Sequence, residues 1–183
     1  MPLTISTQVT PTGAAEVVTR ATLEAEASRV HSPFAGRRVV GLTIPRITAS
    51  THGLSFAQRA TRGGREFRFD TGTLDLTIAQ RILVPDDEAE CPRNIWITHE
   101  RDHVADNAAI GPRMDAELRA DTAFMGLFDE TVWRPVSEFR SVQRQMIARV
   151  GAVFAPLTEA AATARDTTAE YSRVEGLVRA GCP

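Results

Sequence analysis

The segment His99-Glu100-Arg101-Asp102-His103 constrains this chain more than any other stretch. On a helix, residues four apart lie on one face, about 5.4 Å apart along the axis. Two imidazoles at that offset can grip one metal ion. Glu100, next to the first histidine, then flanks the open coordination position, where it can take a proton from a water. Such a segment needs a helix, an apolar side to bury it, and a further ligand from elsewhere. Ile95, Trp96, Ile97 and Val104 supply the apolar side, and the histidines share another face.

The 183 residues predict a single domain, 1–183, with a β-rich lobe over about 1–90 and a helical lobe over about 91–183. A net charge of −2 gives no basis for a nucleic-acid or anionic-membrane partner. All 21 basic residues are arginine, so no lysine is available for Schiff-base or P-loop chemistry. No apolar run approaches the roughly 20 residues of a membrane span. Met1 to Ser6 lacks the basic-then-apolar order of a leader. A monomer is expected. Cys91 precedes the histidine segment and Cys182 lies near the end of the chain. Paired, they would tie the tail to the active helix and imply an oxidising compartment, secreted or periplasmic if a leader has been removed. Unpaired, they are two unrelated thiols, and the compartment stays open.

Along the chain, Leu3 to Val9 alternates as a strand, ended by Pro11-Thr12-Gly13. Ala14 to Val30 mixes helix-forming Ala and Glu with the β-prone Val17-Val18-Thr19. Ser32 to Gly36 reads as a break. From Arg37 to Pro85 the pattern is β. Arg38 to Ile44 is stopped by Pro45, His52-Gly53 turns, and a hairpin turns at Arg62-Gly63-Gly64-Arg65. Leu74 to Val84 is an apolar strand near the site, to which an extended substrate could add at a sheet edge. From Asn94 onward the chain reads as helix. The predicted segments are about Asn94–Ala109, Arg113–Phe128, Val136–Phe154 and Leu157–Ala180, with breaks at Gly111-Pro112 and Pro156. The fold expected is α+β: a β-rich N-terminal half with an antiparallel sheet, then a helical half carrying the active-site helix.

A catalytic zinc site needs a third protein ligand. Asp106 is seven residues after His99 on the same face, but three ligands in a row on one straight helix converge poorly, which suits Asp106 better to a supporting role. Glu117 is the stronger candidate, because the Gly111-Pro112 break lets the next helix fold back. Asp121, one turn later, can accept the free N–H of a ligating histidine.

His99-Glu100-x-x-His103 followed by Glu117-x-x-Ala120-Asp121 resembles the gluzincin branch of the zinc metallopeptidases, and small bacterial zinc proteases are the natural comparison. The resemblance covers about Ile95 to Asp121. It implies a zincin-like fold, Zn2+ as cofactor, and a peptide or protein substrate. It also implies His99, His103 and Glu117 as ligands, Glu100 as general base, and Asp121 as the carboxylate behind a histidine. The spacing from His103 to Glu117 is shorter than that family's usual one.

The expected chemistry is metal-assisted hydrolysis with Glu100 moving the proton. An oxyanion donor is sought in Tyr171, the one tyrosine, or in His52. Asp70-Thr71-Gly72 matches the aspartic-peptidase triplet but reads as a β-turn. The rival from another class is a non-catalytic zincin-like module in which a metal only stabilises a binding domain.

Overall fold

The structure, a computed structural model, describes residues 3–30 and 38–182. His31 and the break expected at Ser32 to Gly36 lie outside the described residues. The chain forms, in order, β1 (Leu3–Val9), β2 (Glu16–Val18), α1 (Arg20–Ala27), β3 (Leu42–Thr61), β4 (Gly64–Pro85), α2 (Glu90–Ala108), α3 (Gly111–Ala120), α4 (Thr122–Met125), β5 (Arg134–Pro135), α5 (Phe139–Arg165) and α6 (Thr168–Gly181). The fold is α+β. Among the described residues no helix is long and apolar enough to cross a membrane.

The expectation of an antiparallel sheet in a zincin-like lobe is corrected. β1 and β2 both pair with β4 in parallel, and the path β1-β4-β2 carries the sheet. A tight hairpin dictates opposite strand directions only for immediate neighbours in sequence, as in β3 and β4. β1 and β2 reach β4 only after long intervening segments, so their direction is free. β4 is partnered by β1, β2, β3 and β5. It is therefore a central strand, and Leu74 to Val84 is not the edge the pattern suggested.

Two compact units form. Among the described residues, the first holds 3–9, 47–78 and 111–156, and the second holds 10–30, 38–46, 79–110 and 157–182. Each unit takes strand residues from the first half of the sequence and helical residues from the second.

In the first unit, β1 pairs with β4 from Leu3↔Gly72 to Val9↔Ile78, and α3 packs on β1. The core is built on Phe67, Phe69, Leu74, Leu76, Ile78, Met114, Leu118 and Phe124, all nearly inaccessible. Each such side chain contributes on the order of 2 kcal/mol through removal of apolar area from water. The buried positions of β4 change parity, from Phe67 and Phe69 to Leu74, Leu76 and Ile78. The change falls at Gly72, which has φ +152°. A Cβ there would lie 2.4 Å from the Gly53 carbonyl oxygen. Asp70-Thr71-Gly72 is thus strand, not the expected turn, and His52-Gly53 likewise lies within β3. The predicted helix over Arg113–Phe128 breaks at Asp121, whose Oδ1 accepts from the Ala123 and Phe124 amides to start α4.

In the second unit, the mixed signal of residues 14–30 resolves into both elements. Val17 and Val18 form β2, in register Glu16↔Leu83 to Val18↔Pro85. Thr19 then caps α1 by accepting from the Thr22 amide. Leu23, Ile82, Leu83, Val84, Trp96 and Val174 are buried, and α2 packs against α6. Cys91 and Cys182 form a disulfide with Cα atoms 5.7 Å apart, joining the first turn of α2 to the residue that follows α6.

The helix breaks differ from expectation in one place that matters for the site. Pro156 does not end a helix, and α5 runs through it to Arg165. The proline removes one backbone hydrogen bond and crowds the carbonyl four residues earlier, and α5 continues regardless. The chain breaks instead at Asp166-Thr167, where the Thr167 side chain accepts from the Glu170 amide and starts α6.

Candidate metal centre

α2 begins without a side-chain cap, but Glu90 in its first turn complements the helix dipole. Over the next turns it buries Trp96, His99, Glu100, His103 and Asn107. A run of three charged or ionisable side chains on the buried side of a helix is costly unless they satisfy one another or a bound ion. His99, Glu100 and His103 each offer a ligand atom within 4.8 Å of the others, the metal-capable group among the described residues.

Facing α2 are the turn before α6 and the first turn of α6. The Nε2 atom of His103 lies 2.9 Å from Asp166 Oδ1. His99 Nε2 lies 3.4 Å from the same oxygen, and His99 Nδ1 lies 3.5 Å from Glu170 Oε1. Neither His99 contact has hydrogen-bond geometry: both ring nitrogens are buried without a hydrogen-bond partner among the described residues. Such an unsatisfied imidazole, 1% exposed, is what an ion would complete. With imidazole nitrogens and carboxylate oxygens as donors, the set suits a divalent ion of the zinc type.

Tyr171, in the first turn of α6, places its hydroxyl 3.4 Å from Asp166 Oδ1. Its ring lies 5.7 Å from that of His99 and 6.0 Å from Trp96, while the Trp96 and His99 rings stand nearly perpendicular at 6.1 Å. His99 is nearly inaccessible beside these two rings.

Glu100 is held on its other side by the start of β3. The Thr43 hydroxyl lies 2.8 Å from Glu100 Oε2 and 3.0 Å from the Glu100 carbonyl oxygen, and it donates to them. Gly41 makes room for the side chain: a Cβ there would lie 2.6 Å from Glu100 Oε1 and 2.8 Å from Cγ.

The charges of the cluster move one another. Burial pushes the Glu100 carboxyl up, against the opposing pull of His103 and the Thr43 hydrogen bond. Burial pulls His103 down, but its hydrogen bond to Asp166 and the charge of Glu100 outweigh this and leave it raised. Burial pushes Asp166 up, and its contacts with His103 and His99 reverse this to leave it lowered. Glu170 is pulled down to about 2, chiefly by its hydrogen bonds from Arg173. Away from the ion-capable group, Arg165 holds Asp106 through two contacts of 2.8 and 2.9 Å, fastening the end of α5 to α2 within the second unit.

The residues singled out in the sequence therefore fall in different places. His99, Glu100 and His103 come together, with Tyr171 beside them. Asp106 is an ion-pair partner of Arg165. Glu117 sits half-exposed on α3 in the first unit, 3.5 Å from Arg113, and Asp121 caps α4. The metal-capable group found among the described residues includes neither carboxylate, and His52 is an exposed residue of the first unit. Asp166, Glu170, Thr43 and Gly41 carry no motif. The one local signal was the Asp166-Thr167-Thr168-Ala169-Glu170 string, a helix start of the Thr-x-x-Glu kind. No protein-family model, curated protein or solved structure matches this chain.

Proposed function

We propose that the second unit carries the hydrolytic centre of a metal-dependent peptidase, with zinc as the ion. The observation that supports it best is the division of labour on α2. Two imidazole Nε2 atoms converge on one buried oxygen, while the carboxylate between them in sequence is tethered elsewhere, to Thr43. His99 and His103 would hold the ion, which supplies Lewis-acid polarisation of a peptide carbonyl and of water. Glu100 takes the proton of the attacking water and returns it to the leaving nitrogen. Thr43 and Gly41 fix where Glu100 can do so. Tyr171, half-buried with its hydroxyl 3.4 Å from Asp166, would orient that carboxylate. The disulfide suits an oxidising compartment, secreted or periplasmic.

The expected result is about one equivalent of zinc per chain by metal analysis, and cleavage of a mixed peptide library that a chelator abolishes and added zinc restores. A chain with no zinc and no chelator-sensitive cleavage would end the proposal. Gly41→Ala is expected to keep the zinc and lose roughly a hundredfold in kcat/KM, the scale of misplacing a catalytic group by about 1 Å. Steady-state kinetics beside metal analysis would check it.

One observation favours the non-catalytic rival. His99 is 1% exposed and Glu100 4%, which suits an ion that only fastens α2 to α6. The two readings part at Glu100, since a purely structural ion needs no base beside it.

A further inference from the structure

We propose that Asp166 is the third protein ligand of this metal site, presented by the turn between α5 and α6. The proposal rests on the metal-site reading above.

One oxygen of Asp166 faces both histidines, at 2.9 Å from His103 Nε2 and 3.4 Å from His99 Nε2. The Asp166 side chain is 6% exposed. A buried carboxylate aimed at two nitrogens of separate rings is placed as a ligand is placed, on the side of the rings where an ion must lie. The back of the His99 ring supports this orientation. Its Nδ1 looks toward Glu170 Oε1 at 3.5 Å, and a carboxylate behind a ligating imidazole turns the other nitrogen to the metal.

Two other carboxylates compete for the role. Glu100 is close enough, but its carboxylate is engaged by Thr43 and seated over Gly41. Recruiting it as a ligand would also leave no base. Glu117 is half-exposed and faces Arg113 on its own helix. Besides the histidines, Asp166 meets the Tyr171 hydroxyl at 3.4 Å, a contact that leaves the carboxylate aimed at the rings. Two histidines and an aspartate leave one position of a tetrahedral ion open, as a catalytic site requires.

The alternative for Asp166 is a supporting one, accepting a proton from His103 without touching the ion. Cobalt(II) separates the two roles, because its visible d–d bands report the ligand set directly, independent of turnover. The experiment takes the full chain, its Asp166→Asn, Asp166→His and Glu117→Gln variants, and measures cobalt spectra and zinc affinity against a chromogenic chelator. Circular dichroism checks that each variant folds. The expected result is that Asp166→Asn alters the d–d bands and weakens zinc by more than the roughly 10–100-fold lost with a supporting group. Asp166→His, which keeps a ligand but not a carboxylate, recovers much of the affinity with a shifted spectrum. Glu117→Gln changes nothing. Asp166→Asn with the parent spectrum and affinity overturns the proposal while leaving the metal site standing, as does loss of the bands in Glu117→Gln. If Asp166→Asn fails to fold, the histidine variant decides: no recovery of cobalt binding in folded protein counts against ligation. A parent chain that binds neither cobalt nor zinc overturns both the metal site and this assignment.

Discussion

Glu100→Gln is expected to lower peptide hydrolysis on the order of 10³-fold while zinc stays bound at parent stoichiometry. The size follows from what a positioned proton acceptor contributes, about 10²–10⁴-fold. The substitution keeps the shape of the side chain, so it still fits over Gly41 and can still meet the Thr43 hydroxyl. What it removes is the basic oxygen. A second readout makes the outcome specific. Burial already disfavours the charged form of Glu100, so an uncharged amide of equal volume is expected to leave thermal stability unchanged or raise it. Unaltered activity in this variant would exclude the proton-transfer role. A large loss of stability would instead identify Glu100 as part of the scaffold.

Removing the disulfide is expected to have the largest effect on stability. Cys91 and Cys182 are 91 residues apart in sequence, so breaking the link frees a long loop in the unfolded chain, worth about 4.6 kcal/mol in the loop-entropy account. In the folded chain the same link joins α2, which carries His99, Glu100 and His103, to the end of α6, which carries Glu170 and Tyr171. Cys182→Ser should therefore show a lower urea midpoint than the oxidised parent and bind zinc more weakly, both measurable in the same preparation. A parent midpoint that does not move on reduction, with thiols shown to be free, would rule the contribution out.

How much of this was legible in the sequence differs between the two sides of the site. Half of it lies within one helix, where the 3.6-residue period ties residue spacing to direction. His99, Glu100 and His103 could be placed relative to one another from spacing alone. The other half comes from Thr43 and Gly41 on one side and Asp166 and Glu170 on the other, and no local period links these to α2. The Gly111-Pro112 break points to Glu117 as third ligand, because a break is where a helix can turn back. In the structure Glu117 is half-exposed on α3 and faces Arg113 of the same helix. Proline misled as well. Taken as a helix end, Pro156 places Asp166 inside a predicted helix. The real end is set by a threonine cap one residue beyond Asp166. The α+β composition was readable from where Val, Ile and Thr give way to Ala and Glu. Strand direction was not, because pairing partners distant in sequence leave no mark on the alternation.

Gly72 has a bearing on how this chain tolerates change. From Phe67 to Phe69 and from Leu74 to Ile82, β4 buries every second residue, but the two repeats are out of phase by one. The glycine acts as a frame shift written into the strand. Substitutions among Leu74, Leu76 and Ile78 alter only how well the inner face packs. A single-residue insertion or deletion between Phe69 and Leu74 would exchange inside for outside along one whole arm of the strand. What is constrained in this stretch is length more than identity, and related chains should differ there in residue type while keeping the count.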